Sequence, residues 1–301
     1  MSIVLFDAPG PVGRRRNLLV GVVGTAVLLA VFGFVVYRLA VTGQFDPGVW
    51  DWILYKNVQL LLLEGLLNTL RAFALAAVLS LVVGAAFAAG RLSDHRWVSR
   101  PAALVVEFFR AVPLLVLIFI LYFGLSRGIG ITVSAFTAVV LGLMLYNGSV
   151  LAEVFRAGVV SLPRGQSEAA YGLGMRKTQV MTNVLLPQAL RAMLPTIISQ
   201  LVVVLKDTAL GFLILYPELL FQARFLGSQP QFGLPILPVA MVVAAIYITM
   251  CLLLAALANY LERRTRGRRP GADAGPAPEQ GEPQPGGVTA GVGVDQTVST
   301  R

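Results

Sequence analysis

The residues of this chain that could do chemistry are few, and most of them sit inside or beside apolar runs. Lys206 and Asp207 are adjacent ionisable groups within the apolar stretch Ala192–Leu215. An ionised side chain near the centre of a membrane helix costs about 2.5–3.5 kcal/mol on insertion scales and usually faces a bundle interior or a cavity. Neighbours along a helix point about 100° apart, so one of the two is expected to face a pore and the other a neighbouring helix. Lys206 could attract a solute carboxylate; a structural or gating ion pair is the competing reading. Glu107 and Arg110 are three apart, as are Glu153 and Arg156, which makes each pair neighbours on one helix face. Both read as scaffolding, because surface-like ion pairs contribute little alone. Pro113 follows the first pair and is expected to kink its helix as a gate hinge. Tyr146, Asn147 and Ser149 are polar enough to line a pathway, while Gly142, Gly148 and Ser149 fit helix packing equally well. Arg71 lies near the end of an apolar run and can snorkel.

Other chemistries are poorly supplied. The single cysteine, Cys251, lies in an apolar run and the single histidine, His95, lies between runs. Neither a disulfide framework nor a metal site can be built from them, and an intramembrane enzyme would lack a nucleophile–base pair. No Gly-x-x-x-x-Gly-Lys-Ser/Thr phosphate loop occurs, so the chain is not expected to hydrolyse ATP or to bind a cofactor of its own.

The elements that must hold these residues follow from composition. Hydrophobic residues make up 56% of the 301 residues and charged residues 13%, against about 45–50% and 25% in soluble domains. Such a chain cannot cover itself with polar groups, so it reads as an all-α polytopic membrane protein facing the lipid bilayer. A net charge of +9 would suggest nucleic acid in a soluble protein. Here the basic residues fall between apolar runs, and topology explains them without a nucleic-acid partner.

A spanning helix needs about 20 mainly apolar residues. Six candidates meet that length: Leu18–Val41, Leu66–Gly90, Ala102–Gly124, Ile131–Phe155, Ala192–Leu215 and Ile236–Leu261. The first could be a secretory signal, since Arg14, Arg15 and Arg16 precede it, but it exceeds the 7–15 residues or so of a signal core. An uncleaved span is the stronger reading. With the N-terminus inside, fifteen Lys and Arg residues fall on the cytoplasmic side and four outside, namely Arg38, Lys56, Arg127 and Arg224. That bias places both termini in the cytoplasm. The resulting order is a cytoplasmic N-terminus over 1–17 and an additional span over 18–41. An external connection over 42–64 follows, with Trp50, Trp52 and Tyr55 at headgroup level. A transmembrane domain covers 65–261, and 262–301 form a disordered cytoplasmic tail in which Gly, Pro and small polar residues dominate from Gly267 onward.

The internal connection 158–191 carries the most information. Ser161 and Pro163 are expected to open a short helix over Gln166–Leu173, with Gly174 ending it in the left-handed conformation. Glu168, Arg164, Arg176 and Lys177 give it a polar side, and Ala169, Ala170, Leu173 and Met175 an apolar one. From physics alone an ordinary connector is an equal reading.

The spacing settles the choice by resemblance. Glu168-Ala169-Ala170, then Gly174, Val184 and Leu186-Pro187, resembles the EAA signature of permease subunits of ABC-type importers, with Val184 where Ile is usual. The stretches Ala152–Gly158, Ser161–Gln166, Leu205–Leu210 and Glu107–Val116 are similar to the polar amino acid branch of that family, and Gly65-Leu66 with Thr69-Leu70 resembles the start of its core. The likeness covers roughly Gly65 to Leu261, five of the six spans.

It implies a type I importer core whose EAA helix, with Glu168, Ala169, Ala170, Gly174, Arg164, Leu186 and Pro187, docks on separate ABC ATPase subunits that hold ATP and Mg. It also implies a second permease copy, identical or related, and an extracytoplasmic solute-binding protein that delivers a small amino acid. Lys206, Asp207, Glu107, Arg110, Pro113 and Asn147 become candidates for the pathway or gate. The long N-terminus and Arg-rich, Lys-poor composition resemble the larger permease of actinobacterial glutamate importers, which makes glutamate or aspartate the leading substrate. An ion-coupled secondary transporter is the rival, but it would often show two repeated halves, which are not evident, and it would leave the coupling signature without a purpose.

Overall fold

The computed structural model describes residues 10–266, and within them every regular element is helical. Helix α1 (Pro11–Val41) has Pro at its first turn, where a missing N–H is harmless. At about 46 Å by the helical rise it outlasts a bilayer core, and none of its residues is buried by the rest of the chain. Arg14–Arg16 lie within it, ahead of the expected start at Leu18.

A 3-10 helix over Pro47–Leu54 then turns the chain back. Its Trp52 is 1% exposed and packs with Val58, Leu62, Leu219, Leu226, Val239 and Val243, so it faces protein and not the headgroups expected for it. Tyr55 stays exposed against the Phe232 ring, 5.4 Å between centroids.

Helix α2 (Lys56–Arg91) begins at Lys56, not Leu66. The apolar run Leu60–Leu63 has no breaker before it, so the end of the supposed external connection is helix. One edge of α2 carries Gly65, Thr69, Ala72, Ala76, Ser80, Gly84 and Ala88, all buried. Small residues at this spacing let helix backbones approach closely where lipid removes the hydrophobic drive between helices.

The third expected span is broken. Helix α3 (Arg96–Ala111) and helix α4 (Leu114–Ile129) meet at 98°. The cause is local: Pro113 pushes Val112 into the extended region, at φ −79 and ψ 126. The kink expected at Pro113 is thus a full break, and Ala102–Gly124 is not one straight span.

Helix α5 (Ala135–Val160) starts where the Ser134 hydroxyl accepts the Thr137 N–H at 3.1 Å. Gly142 and Gly148 seat it: a Cβ at Gly142 would lie 2.6 Å from Ile118 Cγ1, and one at Gly148 3.2 Å from Val83 Cγ1. The packing reading therefore holds for both glycines, and for Ser149, whose hydroxyl donates to Leu145 O of its own helix.

A short helix α6 (Arg164–Gly172) leads to α7 (Lys177–Ile214), which starts well before the expected Ala192. A π turn over Val180–Leu185 precedes Leu186-Pro187. Pro187 has no N–H to offer the preceding turn, and the wider register accommodates that loss. Helix α8 (Leu219–Gly227), not foreseen in the sequence, is packed between α2 and α9 (Ile236–Arg266). The first residues assigned to the tail, through Arg266, continue α9; the Gly- and Pro-rich remainder lies outside the described residues.

Candidate functional site

The loop between α5 and α7 is built from short-range rules. Pro163 is the N-cap of α6, at φ −56 and ψ 131. Ser161 closes the previous helix, its hydroxyl donating to Gly158 O at 3.0 Å. Both sit a step earlier than the cap and first turn expected of them, because Pro163 has no N–H and its ring holds the chain extended between two helices. Gly174 adopts φ +78 with no neighbour within 4 Å of a Cβ, so backbone conformation alone demands glycine there.

Two ties fix the loop to the bundle. Lys177 pairs with Asp94 and donates to Leu92 O at 3.3 Å, joining the turn after α2. Gln188 donates to Gln166 Oε1 at 3.3 Å, joining α6 to α7. Ala170 alone on α6 is buried. Arg164, Glu168, Ala169 and Arg176 are exposed, and Leu173 is 84% exposed. The expected apolar face is thus split: Ala170 packs inward while Leu173 projects outward with the charged residues.

Near the same end of the bundle, four charged side chains knit α2, α3 and α5. Arg91 reaches Glu153 at 3.1 Å and Glu107 at 3.8 Å. Glu153 also accepts from Arg156, the i,i+3 pair expected from sequence. The other expected pair does not form. Glu107 turns to Arg91, and Arg110 is exposed, because a cation on a neighbouring helix outcompetes one on the same helix. Arg91 was visible only as one positive charge among the flanking residues.

Deeper in the bundle, Asn147 is fully buried and accepts from Gln200 Nε2 at 2.7 Å, linking α5 to α7. Its own Nδ2 has no hydrogen-bond partner among the described residues. Lys206 is exposed and Asp207 half-buried. They stand toward the end of α7, which begins at Lys177, and Thr208 then starts a 3-10 turn. Among the described residues neither joins an ion pair. Pro113 stands at the α3–α4 break, away from α6 in sequence and element.

One polar knot escaped sequence reasoning. Glu218 is fully buried and caps α8 with both oxygens, accepting from Leu220 N at 2.8 Å and Phe221 N at 2.7 Å. It also accepts from the Tyr247 hydroxyl of α9 at 2.7 Å. The available signal was a carboxylate after Pro217 and before an apolar run, the pattern of a capped helix start. No group of three or more potential metal ligands occurs among the described residues.

Comparison with known proteins places this arrangement. Residues 80–267, more than half of the chain, match the family described as binding-protein-dependent transport system inner membrane component. The glutamate transport system permease protein GluD of Corynebacterium glutamicum is 41% identical over 234 residues, covering 77% of this chain and 85% of that protein. The probable glutamine ABC transporter permease protein GlnP of Bacillus subtilis is 34% identical over 67% of this chain and 92% of its own length. Among solved structures, an amino acid ABC transporter crystallised with histidines aligns at TM-score 0.65 and 31% identity, over 71% of this chain and 98% of its own. The inward-facing MetNI methionine ABC transporter shares the fold at TM-score 0.59 and 18% identity. The helical bundle, the apolar spans and these likenesses agree: the chain belongs to the binding-protein-dependent transport system inner membrane components, as the membrane permease of an amino acid ABC importer and a translocation subunit, not a catalytic one.

Proposed function

We propose that this permease carries glutamate, with aspartate as the related substrate, inward across the cell membrane, and that α6 couples the movement to ATP hydrolysis on separate ATPase subunits. The observation that carries the coupling is the form of α6. It is a short helix tied to α7 at Gln166, with the start of α7 pinned to the turn after α2 through Lys177, and with Glu168, Ala169 and Leu173 left facing outward. A helix tied to two spans passes a rigid-body push into them, and exposed Leu173 with Glu168 offers an apolar anchor beside an orienting charge. The 41% identity to a glutamate permease supports the substrate.

In this reading ATP and Mg belong to the ATPase, and both termini and α6 face the cytoplasm. A second permease copy, identical or related, completes the route, and a solute-binding protein delivers the amino acid from outside. Residues 65–261 form the permease domain around the coupling loop 158–191. Lys206, Asp207 and Asn147 lie along the route or its gate. Lys206 is an exposed cation on α7, suited to drawing an anionic substrate. Glu107, Arg110 and Pro113 belong to the cytoplasmic mouth. The test is reconstitution in proteoliposomes with the ATPase and binding protein: ATP-dependent uptake of labelled L-glutamate supports the reading, and uptake that persists without the ATPase overturns it.

A further inference from the structure

The segment around α8, at the opposite end of α7 from α6, combines three features that the coupling mechanism does not use. First, it is bracketed by strain. Leu215 and Leu234 have φ of 60° and 55°, and they are the only non-glycine residues with positive φ among the described residues. A branched side chain reaches that region only when the surrounding structure enforces it.

Second, between the two leucines the segment is held to α2 by a largely buried polar knot. Asn68 of α2 donates to Pro217 O at 3.0 Å and its carbonyl accepts from the Tyr216 hydroxyl at 2.8 Å. The Thr69 hydroxyl accepts Leu219 N at 3.1 Å. Gly65 lets α8 approach, since a Cβ there would lie 2.8 Å from Gln222 Cγ and 3.1 Å from Leu219 Cα.

Third, the carboxylate of Glu218 is oversupplied for a cap. A serine or asparagine would accept the helix-terminal amides without bringing a buried charge. Glu218 spans two elements, with three donors on its two oxygens, the third being Tyr247 of α9. No cation pairs with it among the described residues. Beyond capping α8, the carboxylate thus ties α8 to α9.

We infer that Glu218 and Tyr247 are positioning residues of the gate on the side away from α6: their hydrogen bond makes the strained Leu215–Leu234 segment move together with α9 when the ATPase drives the other end of the bundle. The inference rests on the reading of this chain as the moving part of an ATP-driven importer. The strain at Leu215 and Leu234 then gives the segment an alternative conformation to relax into once the pin is loosened.

The experiment uses the full chain reconstituted with its ATPase, carrying Cys251→Ala and Arg224→Cys, and reads the labelling rate of a membrane-impermeant maleimide with and without ATP–vanadate. Arg224 is exposed on α8, so its cysteine reports that segment. The parent is expected to change labelling rate several-fold on trapping. Tyr247→Phe should abolish that change and lower L-glutamate uptake up to about tenfold, the loss of one hydrogen bond, while ATP hydrolysis continues. Glu218→Gln keeps an acceptor for Tyr247 and should fall between the two. A folding defect alone would reduce assembly and hydrolysis together and overturn the inference. So would a Tyr247→Phe variant with the parent's labelling change and uptake. Failure of the parent to take up L-glutamate in an ATP-dependent way would instead strike the functional reading beneath it. Where Arg224→Cys itself impairs uptake, Ser228→Cys at the end of α8 carries the label.

Discussion

Gly174 and Glu168 act through different physics although they are close in sequence. Gly174 is a backbone requirement: at φ +78 a Cβ costs about 1–2 kcal/mol even in open space. Gly174→Val should therefore loosen the end of α6, whereas Glu168→Ala leaves its shape intact and removes an exposed charge. Both are expected to lower uptake by about tenfold or more at unchanged membrane level while the ATPase keeps hydrolysing, a loss of roughly 1.4 kcal/mol of coupling. Normal uptake by both variants in vesicles would show that α6 is only a connector. Lys206→Met tests the route. Its cation is exposed and unpaired among the described residues, so its removal should raise the KM for L-glutamate more than it lowers expression. Unchanged kinetics would remove Lys206 from the pathway.

At the scale of elements, small residues and ion pairs decide which helices pack together. Gly142 sits so close to Ile118 that a β-branched replacement must push α5 and α4 apart, and overpacking of this kind costs about 1–3 kcal/mol. Gly142→Val should lower the thermal midpoint in detergent, while Gly128→Val, with open space around it, should not. Arg91 holds two carboxylates from two helices at 13% side-chain exposure. Arg91→Ala should therefore destabilise the purified chain more than Arg110→Ala, since it leaves Glu153 and Glu107 facing each other across α5 and α3 without their shared cation. Equal effects in a thermal-shift series would reduce the knot to surface decoration.

The same scale explains what could be read from sequence. The long spans were legible because continuous apolar runs report themselves, and α6 because proline, glycine and the Glu-Ala-Ala spacing are local signals. The break at Pro113 was visible as a kink but not as a right-angled turn, since the angle depends on how α4 packs against α5 through Gly142 and Ile118. Helix α8 left only a faint local signal, Glu218 after Pro217 and before an apolar run, and its place is set by how α2 and α9 pack around it. Glu107 was matched to Arg110 because sequence supplies only same-helix neighbours, and Arg91 comes from another helix.

For the whole molecule, the proposed coupling makes the bundle a lever with its two ends differently built. One end exposes a short helix, held by few ties and aimed outward; the other buries a polar knot between two exposed leucines of strained backbone. Between them runs α7, from Lys177 beside α6 to Ile214 beside the knot, so a displacement of α6 has a continuous helical path across the membrane. The direct test is site-specific photocrosslinking from position 173, where Leu173 is 84% exposed, in the assembled importer. A crosslink to the ATPase subunit whose yield changes between nucleotide-free and ATP–vanadate states is the expected result. A crosslinker that captures only lipid, or an ATPase contact indifferent to nucleotide, would contradict coupling through α6.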